Sequence, residues 1–315
     1  MKKDFISLRD LSSSELHGLL ALSKQLKREP HQASDRLRGR SFALIFQKPS
    51  NRTRVSFETG IFQLGGNSIY LAPDDISLGK REPTADIAKT LCRYVDGIVA
   101  RVFFHQDILD LAQYSTVPVI NGLSDLSHPC QAMADMFTIF ENFDSLNGLK
   151  MAYVGDGNNM TNSLLVAAAK LGISIFAATP KGYEPDQEYV KAARDCAAKT
   201  GAEVVLTHSP QEAVKGAQVV YTDTWVSMGQ EDETIERLKD FEGYQVDEAL
   251  VSLADKEFIF MHCLPAHRGQ EVADAVIDGD HSVVFDEAEN RLHMQKAIMI
   301  SCMCPDVNGC AVQGR

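Results

Sequence analysis

Positive charge is scarce in this 315-residue chain: 31 Lys and Arg stand against 43 Asp and Glu, a net charge of -12 at pH 7. Without a basic stripe, a nucleic-acid interface is excluded, because phosphate backbones are gripped by clustered Lys and Arg. One local anion pocket remains compatible with an acidic surface. Paired cysteines are missing as well. Cys92, Cys130, Cys196, Cys263, Cys302, Cys304 and Cys310 form an odd, scattered set without C-x-x-C spacing, which points to a reducing cytoplasm. No apolar run approaches the roughly 20 residues that a bilayer span needs. The N-terminal MKKDFISLRDLSSSELHGLL has neither an uninterrupted apolar core nor a small-residue cleavage site, so no signal peptide is read there. Short repeats and low-complexity tracts are also lacking. What remains, 44% hydrophobic and 23% charged, is ordinary globular composition and enough chain for two domains.

The pattern that is present alternates. Ser12-Ser13-Ser14-Glu15 reads as a capping box opening a helix with Leu16, Leu19, Leu20 and Leu22 on its buried side. SFALIFQ, NSIYLAP, GIVARVF and VPVINGL read as strands, separated by helices such as TADIAKTLCRY and QDILDLAQYS. HPCQAMADMFTIFENF is a long helix that leaves this block. After Asn147-Gly148 the rhythm restarts, with LKMAYVGDG, ISIFAATP, AEVVLTHS, QVVYTDTW, FIFMHCLP and SVVFDEA as the strands of a second set. The expected fold is α/β: two similar-sized domains, each a parallel sheet flanked by helices, with a cleft between them. The domains run 1–147 and 148–290. A C-terminal helix, about 291–315, rejoins the first, its end CPDVNGCAVQGR frayed.

Ligands of open α/β sheets bind beyond the carboxyl ends of strands, so polar residues at those ends are the candidates. Ser50-Asn51-Arg52-Thr53-Arg54 follows the first strand with the donors that suit a phosphate dianion, or else is a solvated loop with locally paired arginines. Arg101, late in a buried strand, needs either a carboxylate or a ligand. His128-Pro129-Cys130-Gln131 places Pro129 at a first helical position, so His128 is a cap or a cleft residue. Gly155-Asp156-Gly157-Asn158-Asn159 begins like a dinucleotide fingerprint, but Met160 stands at the third glycine position. Asp223-Thr224-Trp225-Val226-Ser227-Met228-Gly229 is either a closing loop with Gly229 as hinge or a surface turn around a packed Trp. His262-Cys263-Leu264-Pro265 follows another buried strand. Its thiol is either inert or at the ligand edge, and metal spacing is absent.

Together, in this order, these segments resemble the transcarbamoylase family on its ornithine carbamoyltransferase branch, over roughly residues 4–303. SNRTR resembles the family's Ser-Thr-Arg-Thr-Arg loop, HPCQ its His-Pro-x-Gln motif, and DTWVSMG with HCLP its ornithine-type signatures. Asn51 departs from the usual threonine, though its amide still donates to a phosphate oxygen.

The resemblance implies transfer of the carbamoyl group from carbamoyl phosphate to L-ornithine, giving L-citrulline and phosphate, in arginine metabolism. It implies no cofactor and no metal. Ser50, Asn51, Arg52 and Thr53 would hold the phosphate, and Arg52 would accompany it as it leaves. Arg101, His128 and Thr53 would polarise the carbonyl. Gln131 and the backbone carbonyls of Cys263 and Leu264 would take the carbamoyl NH₂, and Arg291 matches a further cleft arginine. Asn159, Asp223, Ser227 and Met228 would bind ornithine, with Asp223 and Cys263 orienting its side-chain amine and Cys263 taking its proton. The resemblance further implies a homotrimer or a multiple of trimers, with Ser77 at a position lent to the neighbouring chain. Neither a membrane nor a nucleic acid enters as a partner. The rival readings are a transcarbamoylase for putrescine or an acylated ornithine, a nucleotide-cofactor protein built on GDGNN, and a non-catalytic binding relative.

Overall fold

The computed structural model describes residues 3–30, 33–79, 81–226 and 231–303. They divide into two compact units, residues up to Ala134 together with Arg291 onward, and Asp135–Asn290.

The first unit opens with α1 (Ser13–Arg28), whose Ser12 cap and Glu15 exchange both capping-box hydrogen bonds. Its sheet is built from β1 (Ser41–Phe46), β2 (Asn67–Leu71), β3 (Gly97–Arg101) and β4 (Val119–Leu123), all parallel, in the order β2-β1-β3-β4. The connections carry α2 (Asn51–Gln63), α3 (Pro73–Ile76), α4 (Thr84–Leu91) and α5 (His105–Tyr114). Buried Ala43, Ile45, Ile98, Ala100, Ile108, Leu111 and Val119 belong to its core. Both faces of the sheet are covered, which is why β3 reads as an unbroken buried run. Helix α6 (Pro129–Phe143) carries the chain across the unit boundary.

In the second unit the strands are β5 (Lys150–Val154), β6 (Ser174–Ala178), β7 (Val204–Thr207), β8 (Val219–Thr222) and β9 (Ile259–His262), parallel and ordered β7-β6-β5-β8-β9. Around them lie α7 (Asn159–Lys170), α8 (Gln187–Thr200), α9 (Pro210–Val214), α10 (Thr234–Asp240), α11 (Glu248–Val251) and α12 (Asp274–Ile277). Ala152, Val154, Val220, Phe260 and Val272 form the core, with Trp225, Phe241 and Tyr244 packed into it. Trp225 is buried and lies 5.4 Å, ring to ring, from Phe241.

Two expectations need correction. SVVFDEA is not a strand. Ser282 makes a single bridge to Phe260, and α13 (Val284–Met303) then starts, running through Asn290 in one unit into Arg291 in the other. The β-branched pair Val283-Val284 biases the segment toward a strand locally, but Asp286 and Glu287 sit in the first turn of a helix, where acidic residues are favoured. The basic segment after β1 is also not a free turn. Helix α2 begins at Asn51 because Ser50 caps it, so Arg52, Thr53 and Arg54 are already helical. The C-terminal helix is described as far as Met303, and 304–315 lie outside the described residues.

Candidate active site

Both sheets are doubly wound, and each reverses direction once. In the first, the chain moves from β1 out to β2 and returns to β3, so the reversal lies between β1 and β3. In the second it lies between β5 and β8. Such switch points leave a crevice beyond the strand ends, because the two connecting chains depart to opposite sides.

At the first switch point β1 delivers α2 and β3 delivers Arg101. The Ser50 Oγ accepts the Thr53 N–H at 3.4 Å, a long capping bond, and the free N–H groups of the first turn face outward with the positive end of the helix dipole. Asn51 is exposed, Arg52 half-buried and Thr53 buried. Arg54 is committed elsewhere: it pairs with Glu58 at 3.1 Å and stacks 3.5 Å above the Tyr70 ring. Lys48 stands over the Phe103 ring at 4.6 Å. Arg52 is therefore the candidate anion ligand of this segment.

Arg101, the last residue of β3, is 6% exposed, a degree of burial that demands a counter-charge or ligand for its guanidinium. His128 precedes Pro129 at the start of α6 and is buried. Burial, then the charges of Arg291 and Arg101, hold its imidazole well below the ordinary histidine range, so it is neutral. Gln131 lies one turn on. Arg291 joins the group from α13, with Nη2 donating to Thr53 Oγ1 at 3.1 Å and Nη1 to Gln131 Oε1. Thr53, Gln131 and Arg291 are thus connected.

Ser77 belongs to the segment between β2 and α4. It ends α3 in the left-handed region at φ 44°, and its hydroxyl donates to Pro73 O at 3.3 Å.

At the second switch point β5 leads to Asn158 and Asn159, β8 to Asp223, and the neighbouring β9 to Cys263. Asn158 caps α7, its Oδ1 accepting from Met160 N and Thr161 N, while its Nδ2 donates to Asp223 Oδ2 at 2.9 Å. Asn159 is the first residue of the helix. The Cys263 thiol donates to Asp223 Oδ1 at 3.0 Å. Burial, the Asp223 charge and that hydrogen bond push the thiol well above its ordinary value, so it is protonated. Within this pair the sulfur donates and the carboxylate accepts, so Cys263 carries a proton at the place where the resemblance implies a proton acceptor.

Gly157 answers the dinucleotide alternative. A Cβ there would fall 2.3 Å from Pro185 N and 2.4 Å from Tyr183 O, so the glycine serves the close passage of segment 183–185. That segment fills the approach a pyrophosphate would need.

The turn bearing Cys263 is shaped by residues that motif reading did not assign. His262 Nδ1 accepts the Leu264 N–H at 2.8 Å, which puts the ring proton on Nε2, facing Glu271 Oε1 at 3.2 Å. Both side chains are completely buried. Leu264, at φ 56°, is held in a conformation that a leucine adopts only when its surroundings enforce it. Asp223, His262 and Cys263 could be grouped as metal ligands by proximity. However, both ring nitrogens of His262 are engaged, leaving the imidazole no lone pair for an ion. Glu271 carries no local motif; only its place eight residues after Cys263 marks it. Ser227, Met228 and Gly229 lie outside the described residues.

Comparison with known proteins agrees with this architecture. Residues 3–141 match the carbamoyl-P binding domain of aspartate/ornithine carbamoyltransferases, and residues 147–302 match their Asp/Orn binding domain. An ornithine carbamoyltransferase of Thermococcus kodakarensis is 54% identical over 306 residues, 96% of each chain. One of Pyrococcus furiosus described as anabolic is 51% identical over 306 residues, again 96% of each. A solved ornithine carbamoyltransferase from Pyrococcus furiosus superimposes with a TM-score of 0.93 at 50% identity, covering 97% of this chain and 98% of that one. An anabolic one from Campylobacter jejuni gives 0.91 at 41% identity, covering 95% and 98%. The chain belongs to the aspartate/ornithine carbamoyltransferase family.

Proposed function

We propose that this chain transfers the carbamoyl group of carbamoyl phosphate to the side-chain amine of L-ornithine, forming L-citrulline and phosphate. One observation carries the reading: the two switch points gather complementary half-sites, cationic and donor-rich between β1 and β3, carboxylate and thiol between β5 and β8 with β9 beside them.

The mixed anhydride is already activated, so the protein needs to position it and stabilise charge. The α2 N-terminus with Ser50, Asn51, Arg52 and Thr53 binds the phosphate, and Arg52 neutralises it as it departs. Arg101, Thr53 and neutral His128 face the carbonyl oxygen, where negative charge grows; a neutral imidazole donates one hydrogen bond without adding another cation beside two arginines. Arg291 orients Gln131 and Thr53. The Gln131 carbonyl has a second lone pair for the carbamoyl NH₂, which the carbonyls of Cys263 and Leu264 also accept.

Asn159 binds the ornithine α-carboxylate, and Asp223, Ser227 and Met228 its α-amino end. An alkyl amine titrates near ~10.4 and arrives protonated. Asp223 orients that nitrogen by accepting its N–H hydrogen bond, the neutral amine being the form that attacks, and Cys263 keeps the carboxylate oriented. Arginine metabolism uses this reaction, and relatives described as anabolic favour the synthetic direction. Cytoplasmic residence suits the free thiols of the described residues, and no described helix is long and apolar enough to cross a membrane.

A citrulline-forming assay with L-ornithine, putrescine and N-acetylornithine tests the reading. Ornithine is expected to be the substrate, and Arg52→Ala to lower kcat/KM for carbamoyl phosphate by about 100-fold, the loss of one strong charged contact of ~3 kcal/mol. Turnover of putrescine alone would move the chain to the other amine class.

A further inference from the structure

Gln47 is the first residue beyond β1, the strand flanked by β2 and β3. Neighbouring strands lie about 4.8 Å apart, so a side chain at the end of that strand reaches the chain leaving either neighbour. Gln47 does both. Its main-chain N–H donates to Arg101 O at 2.8 Å. Its side-chain Oε1 accepts the Phe103 N–H at 2.7 Å, just past β3. Its Nε2 donates to Leu78 O at 3.3 Å, in the turn that follows Ser77. The same side chain is hydrogen-bonded to Asp107, whose Oδ1 also takes the Thr84 hydroxyl proton at 3.1 Å. Leu78 is itself buried in the core of the first unit, which anchors the far end of the strut. A carboxamide suits this place because it is donor and acceptor at once, with two N–H groups and a carbonyl on one planar head.

We infer that Gln47 is a positioning residue of the carbamoyl phosphate half-site, a strut that locks the chain ends leaving β1, β2 and β3 and so sets where Arg101 and the Ser50 cap stand. The inference rests on the proposed role of the first unit. Gln47 itself touches no reacting atom; its effect passes through Arg101 and through the short segment from Gln47 to Ser50.

Two variants test it in the full-length protein. Gln47→Leu keeps the bulk but removes every polar contact of the side chain. Its KM for carbamoyl phosphate is expected to rise about tenfold, and the Kd of inorganic phosphate measured by calorimetry to rise equally, with the KM for ornithine changed less than about twofold. Gln47→Glu keeps the acceptor for Phe103 N–H but loses the donor at neutral pH. Its defect relative to wild type is expected to shrink between about pH 8 and about pH 4.3, where an ordinary glutamate carboxyl is half protonated and regains a proton to donate, whereas the Gln47→Leu ratio stays flat. A strut that served stability alone would lower the melting temperature and leave this pH-dependent rescue unseen. Phosphate binding by Gln47→Leu within about twofold of wild type, or a Gln47→Glu ratio that ignores pH, overturns the inference. Should Gln47→Leu not fold, the Gln47→Glu series decides alone. If wild type forms no citrulline, the proposed function fails, yet phosphate calorimetry still judges Gln47.

Discussion

Cys263 and Asp223 illustrate how one hydrogen bond assigns protonation. Two anions 3.0 Å apart repel, so the pair shares one proton, and the group with the higher intrinsic value keeps it. In the proposed reaction the thiol orients the carboxylate that receives the ornithine nitrogen. Cys263→Ser preserves a donor at the same place, and its profile of kcat/KM for ornithine against pH is expected to keep the wild-type shape. Asp223→Asn is expected to lower kcat/KM by about 100-fold, because a charged partner worth ~3 kcal/mol is lost. A profile displaced by more than about half a pH unit in Cys263→Ser would return the proton to sulfur.

Helix starts do two different jobs in this chain. At α1, Ser12 and Glu15 satisfy each other's backbone donors. At α2 the Ser50 cap is long, 3.4 Å, and the first turn stays open to a ligand. Ser12→Ala is accordingly expected to cost about 1 kcal/mol of stability with unchanged kinetics. Ser50→Ala should cost less stability, under about 1 kcal/mol, but raise the KM for carbamoyl phosphate about tenfold or more. Paired thermal melts and saturation curves separate the two, and equal kinetic penalties would contradict the distinction. The Glu15 carboxyl is held down to about 2, first by its backbone bond to Ser12 and then by Lys3. Its folded value lies below the unfolded one, so its stabilisation is complete above about pH 4.5 and fades as pH falls toward 2.

At the scale of the molecule, the first unit exposes the apolar side chains Phe62, Tyr94, Phe104 and Val55, at 80%, 74%, 66% and 53%. A homotrimer, or a multiple of it, is the assembly proposed for the enzyme. Light scattering on the purified protein is expected to give a mass that is a whole multiple of three chains at working concentration. A monomer that turns over ornithine at full rate would remove both the trimer and the trans role of Ser77.

The apolar runs of β1 through β9 were legible because strands of a parallel sheet are buried on both faces and need hydrophobic residues at consecutive positions. The motif positions were legible because donors and charges at strand ends have few structural uses. Short helices α10, α11 and α12 were not: four to seven residues carry too little periodicity to stand out. The start of α13 was hidden for a different reason, since Val283, Val284 and Phe285 individually favour strands.

The amino-acid sequence by itself determined the alternating architecture, the two half-sites and the chemistry each can offer, because burial and charge are written into residue type and spacing. Only the tertiary structure decided that Arg54 belongs to Tyr70 and Glu58, that Gly157 makes room for residues 183–185, that His262 is spent on Leu264 and Glu271, and that Cys263 donates to Asp223. Those outcomes depend on which distant chain segments strand order brings side by side, and a hydrogen bond has no existence until both of its partners are in place.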